Sequence, residues 1–186
     1  MFEQLTQLAQ QFGVDSVINN PSVPNDKNEA VIGEASNSVI SGLQKIVSEG
    51  GMDQLVGLFQ GNNAADSSNP VVQKLTQELS GNLGQKFGIS ANDASGVASK
   101  LIPQILSSLV GKAKDPNDSS FEISDIIGAI SGGGDNTGIM DAITKYGGQF
   151  GLDQNGDGKV DMSDAMEAVT KKGGGIGGML GGLFGK

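Results

Sequence analysis

The sequence predicts an all-α protein. Apolar residues recur at spacings of three and four along each long segment, the signature of one buried helical face. No stretch alternates apolar and polar residues with the period of two that marks a half-buried strand. Asn20-Pro21, Pro24-Asn25, Gly50-Gly51 and the Gly-rich stretch 131–138 separate the periodic segments.

The elements follow in order. Residues 2–12 place Phe2, Leu5, Leu8, Ala9 and Phe12 on one face, and Gly13 ends or loosens that helix. Asn20-Pro21 and Pro24-Asn25 mark an extended connection. A long helix is predicted over 26–48, with Val31, Ile32, Ala35, Val39, Ile40, Leu43, Ile46 and Val47 as its apolar face. Gly50-Gly51 breaks it, and a short helix follows over 52–60. The polar loop 61–69 leads to Pro70, which suits a first helical position. The helix over 70–87 uses Val71, Val72, Leu75, Leu79 and Leu83, while Gly81 and Gly84 weaken it by about 1 kcal/mol each relative to alanine.

Ser90 and Asp93 have the spacing of a capping box, with Asp where Glu or Gln is preferred. They open a helix to about Val110 whose interior Pro103 predicts a kink. Residues 115–120 read as a turn and 124–130 as a short apolar helix. The expected organisation is an N-terminal helix and connection (1–25), a helical core (26–130), a flexible linker (131–138), a helix–loop–helix (139–172) and a Gly-rich tail (173–186).

Composition narrows the chemistry. The chain of 186 residues contains no His, Cys, Trp or Arg, and its net charge is −9. Without imidazole or thiolate it lacks the usual general base, the usual soft metal ligands and the cysteine nucleophile. Oxygen donors remain, and these suit hard cations such as calcium and magnesium. The acidic balance argues against nucleic acid and anionic membrane surfaces as partners. No apolar run is long enough to span a bilayer. Residues 1–13 lack a basic region and a continuous apolar stretch, so no secretory signal is expected and a cytoplasmic location is the default, with export by a non-standard signal left open.

One segment carries specific chemistry. Residues 153–164 read Asp-Gln-Asn-Gly-Asp-Gly-Lys-Val-Asp-Met-Ser-Asp and match the EF-hand pattern at positions 1, 3, 5, 6, 8, 9 and 12. Asp153, Asn155 and Asp157 would supply three side-chain oxygens, and Gly158 would permit the sharp bend. Lys159 would offer its backbone carbonyl, Asp161 would bind directly or through water, and Asp164 would close the shell. Val160 would turn inward. Carboxylates this close repel one another unless a cation lies between them. The expected ion is Ca²⁺, and Mg²⁺ is a competitor because Asp164 is one methylene shorter than the usual closing Glu. The alternative is a solvated turn without an ion. Residues 115–125 could form a degenerate, ion-free second half or an ordinary capped turn, and two copies of the good loop could pair in a symmetric dimer.

The Asp-closed loop is also similar to those of dockerin modules, which carry two such segments where this chain has one good copy. Two further stretches, GGMDQLVGLFQG (50–61) and LSGNLGQKFGISANDASGVASKLIPQILSSL (79–109), together resemble the YidB-like family of small bacterial proteins of unknown function. The match spans about residues 45–130 and rests on the turn over 83–88, the small-residue helix after it and Leu101-x-Pro103-x-Ile105. The resemblance implies an orthogonal helical bundle, a Gly/Leu-rich ending and no particular activity.

The expected function is therefore a non-enzymatic, calcium-binding structural or interaction protein. The alternative is an assembly component of a larger bacterial complex. It would act through protein partners or self-association, using the N-terminal helix and the tail residues Ile176, Met179, Leu180, Leu183 and Phe184, with calcium incidental. A metal-assisted hydrolase is disfavoured, because loop ligands surrounding the ion would leave little room for substrate.

Overall fold

The computed structural model describes residues 2–61, 63–115, 118, 120, 121, 126, 129, 130, 153 and 155–157. The chain divides into two units, Met1–Gly133 and Gly134–Lys186. The described part of the first unit is all-α. Its helices are α1 (Phe2–Gly13), α2 (Asn28–Ser48), α3 (Met52–Gln60), α4 (Pro70–Phe87) and α5 (Ala91–Lys114). The expected linker 131–138, the helix before the acidic loop, residues 158–172 and the tail 173–186 lie outside the described residues.

Four helices close a ring: α1 packs on α2 and α5, α2 packs on α4, and α4 packs on α5. The periodic apolar residues fill its centre. Leu5, Leu43, Ile46, Leu75, Leu79, Leu83, Leu101, Ile102, Ile105, Leu106 and Leu109 are all fully buried. Each such side chain contributes about 1.5–3 kcal/mol relative to remaining exposed. The short α3 packs on α2 and α4.

The turn residues act by identifiable means. Gly50 adopts φ 79°, which an L side chain resists, and so ends α2 where the sequence predicts a break. Asn69 caps α4 by accepting from Val71 N–H at 2.9 Å, with Pro70 following as expected. Gly88 ends α4 in the left-handed conformation. Ser90 accepts from Asp93 N–H at 3.3 Å and donates its hydroxyl to Asp93 Oδ2 at 2.6 Å. That differs from a true capping box, in which the longer Glu or Gln returns to the backbone N–H of the capping residue.

Three boundaries correct the sequence reading. After Gly13 the chain does not pass directly into a connection but makes a π-helical segment, Val14–Ile18. An i→i+5 turn rotates each residue through less than the α-helical step of about 100°. This keeps both Ser16 and Val17 on the buried side and leaves Val14 and Ile18 facing outward. The second helix begins at Asn28, preceded by a 3-10 turn over Asn25–Lys27, rather than at Asp26. The fifth extends one turn past Val110 to Lys114, whose ammonium binds the carbonyls of Gln60 at 3.3 Å and Gly61 at 3.1 Å at the end of α3. Pro103 lies within α5 without ending it. Of the expected short helix over 124–130, the described residues Ile126, Ala129 and Ile130 are helical, and the Ala129 carbonyl accepts from Gln44 of α2 at 2.8 Å.

Candidate functional site

The described part of the acidic loop is a tight, self-bonded turn. Asp153 Oδ1 accepts from Gly156 N–H at 2.6 Å, and Asn155 Oδ1 accepts from Asp157 N–H at 2.8 Å. The Asn155 side-chain amide points toward Asp157 Oδ2 at 3.4 Å. Asx side chains commonly close such turns by bonding backbone N–H groups two or three residues on. Gly156 adopts φ 76°, so part of the bend is made there. The sequence reading assigned the bend to Gly158, which lies outside the described residues, and did not single out Gly156. The signal was present as the Asn155-Gly156 dipeptide, a standard mark of left-handed turn backbone.

Three of the six expected ligand positions are thus brought into one turn: Asp153, Asn155 and Asp157. Lys159, Asp161 and Asp164 lie outside the described residues, as do Gly158, Val160 and the tail residues Ile176, Met179, Leu180, Leu183 and Phe184. Among the described residues no three carboxylates converge into a group that could hold a metal. A carboxylate offers about four lone-pair positions on its two oxygens, so accepting a backbone N–H is compatible with ligating a cation.

The turn at 115–120 has a different chemistry. Lys112 Nζ lies 2.7 Å from Asp118 Oδ2, and Ser120 donates its N–H at 2.9 Å and its hydroxyl to Asp118 Oδ1. These contacts, the Lys112 bond foremost, hold the Asp118 carboxyl well below the usual carboxylate range. The carboxylate already has an ammonium counter-charge, which favours the capped-turn reading of this segment over a second ion loop.

A second polar region lines the outer edge of the α2–α4 packing. Glu34 pairs with Lys86 at 2.7 Å, Ser38 with Asn82 at 3.1 Å, Ser41 with Glu78 at 2.7 Å and Glu49 with Lys74 at 3.0 Å. The order reverses between the helices, so they run antiparallel, and on α4 the partners recur every four residues. An open groove of about 420 Å³ lies along this edge, lined by Gly42, Lys45, Ile46, Glu49, Lys74, Gln77 and Glu78. Within it Glu49 and Lys74 pair with each other and Glu78 accepts from Ser41, which suits a helix-pairing seam better than a ligand site.

Comparison with protein-family models, with curated proteins and with solved structures found no match to this chain. Among the described residues no helix is long and apolar enough to cross a membrane.

Proposed function

We propose that the chain is a non-enzymatic, calcium-binding structural or interaction protein, with one Ca²⁺ held by residues 153–164 in a C-terminal helix–loop–helix. The observation that carries this reading is the loop itself: an EF-hand spacing of oxygen donors whose first five residues include a left-handed glycine and two Asx-closed turns. The ion would neutralise Asp153, Asp157, Asp161 and Asp164 together, and Mg²⁺ would compete for the same oxygens. Its purpose would be to fix the angle between the flanking helices. The YidB-like resemblance would add an orthogonal arrangement of the helical core.

Calorimetric titration of calcium into the metal-stripped chain tests the proposal. One saturable site, abolished by Asp153→Ala/Asp157→Ala, is expected. No heat at millimolar calcium would reduce the loop to a solvated turn.

A second reading, an assembly component, is favoured by the apolar side chains that the first unit leaves outside. Phe2, Val14 and Ile18 are 46%, 45% and 43% exposed. Most of the α1 apolar face is otherwise used internally, through Leu5, Leu8 and Ala9. In that case Val14→Lys/Ile18→Lys, or removal of 173–186, should lower the oligomeric state in sedimentation. An unchanged sedimentation coefficient in both variants would oppose it.

A further inference from the structure

We propose that Asn155 is a self-modification site, at which the Gly156 backbone nitrogen displaces the Asn155 side-chain amide and water then leaves a carboxylate in its place. Asn155-Gly156 is the one Asn-Gly pair in the chain. Attack on a side-chain carbonyl by the next backbone nitrogen is hindered by any Cβ on that next residue, and glycine has none. Both residues are exposed, so water reaches them.

In the step, a bond forms between Gly156 N and Asn155 Cγ, and the bond from Cγ to the amide nitrogen breaks. The Gly156 proton passes to solvent base, and the amide nitrogen takes a proton and leaves as ammonia. Water opens the resulting five-membered imide at one of its two carbonyls. Opening at Cγ gives aspartate; opening at the backbone carbonyl gives the isomer with the main chain running through the side chain. No oxidant or reductant is involved.

The turn both promotes and restrains this reaction. Donation from Asp157 N–H to Asn155 Oδ1 at 2.8 Å polarises the carbonyl that is attacked. The 2.6 Å bond from Gly156 N–H to Asp153 Oδ1 restrains it, because a neighbouring carboxylate disfavours loss of that proton. Opening of the Asp153 bond therefore gates the reaction. The product would place a third carboxylate beside Asp153 and Asp157, or, as the isomer, lengthen the backbone of the turn.

The experiment is incubation of the full chain at mildly alkaline pH, followed by proteolysis and mass spectrometry. Asn63 and Asn92 are internal controls, being exposed but followed by Ala64 and Asp93. The peptide containing Asn155 should gain the mass of amide-to-acid conversion several times faster than theirs, and Asn155→Gln should abolish the gain. Conversion of Asn63 or Asn92 while Asn155 stays intact would overturn the proposal, as would equal conversion in the Asn155→Gln chain. A parallel incubation with calcium separates this inference from the calcium reading. A cation held by Asp153 and Asn155 should slow conversion, whereas equal rates with and without calcium support the modification alone and count against the bound ion.

Discussion

A Cβ built on Gly42 of α2 would stand 2.1 Å from Leu75 Cδ2 of α4. Gly42 and Leu75 are both buried, and Leu75 is wholly inaccessible to solvent. The absence of a side chain at 42 is thus what lets the two antiparallel helices approach closely enough for Leu75 to enter the core. Gly42→Ala should destabilise the first unit by about 1–3 kcal/mol, the usual cost of overpacking a filled interior. Thermal or denaturant unfolding checks this. Gly42→Ala/Leu75→Ala should lose less than the sum of the single variants, since the two changes share one space.

The same contact shows what was legible in advance. Leu75 belongs to the apolar spacing of 70–87, so its burial followed from the sequence, as did the whole of α3 and α4. Gly42, in contrast, was not singled out in the sequence, because close approach depends on which helix comes to lie opposite. The π-helical segment was unreadable for a related reason. The wider turn goes with tertiary packing, in which Val17 is buried and Ser16 is buried with its hydroxyl donating to the Phe12 carbonyl, and such packing is not written in the local sequence. Helix ends held by distant lysines were likewise hidden: Lys27 donates to the Phe87 carbonyl at 2.9 Å across 60 residues of chain. In the acidic loop the donor types and their spacing were legible, whereas the left-handed conformation of Gly156 was not singled out, although the Asn155-Gly156 pair carries its signal.

The α2–α4 seam makes a ranked prediction. Glu34 is nearly buried, with 8% of its side chain accessible, and its partner Lys86 is 55% accessible. Lys86→Met removes that partner and leaves a buried carboxylate without its counter-charge, at a cost of about 1–3 kcal/mol. Lys74→Met breaks the pair with Glu49, in which both side chains are 47% accessible, and should cost less, because water screens an exposed pair. Chemical denaturation of the two variants gives the order directly. Equal losses would mean that Glu34 finds water or another donor once Lys86 is gone.

The turn after α5 should hold against acid below the ordinary aspartate range. Asp118 is held below its ordinary pKa of 3.8 by Lys112 and Ser120. A carboxyl depressed in the folded state contributes its stability in full above the unfolded value. That contribution then fades as pH falls from about 3.8 toward the lower folded value. The Ser120 amide resonance should therefore keep its hydrogen-bonded position through pH 4 and move only in stronger acid. Asp118→Asn should remove this pH dependence while keeping one acceptor for Ser120. A Ser120 shift that tracks an ordinary aspartate titration would show that the Lys112 contact does not persist in solution.

Loop closure offers a test that depends on one methylene. In the proposed calcium site Asp164 occupies the twelfth position, where Glu normally reaches the ion with both oxygens. Calcium tolerates six to eight oxygens, while magnesium demands a smaller octahedral shell. A short, one-oxygen closure therefore costs calcium more than magnesium and brings the two affinities together. Asp164→Glu should tighten calcium binding and leave magnesium binding nearly unchanged, as paired titrations would show. The opposite result, weaker calcium binding in the longer side chain, would mean that residues 153–164 close on the ion with a shorter reach than the EF-hand geometry requires, and the ligand assignment at Asp161 and Asp164 would have to change.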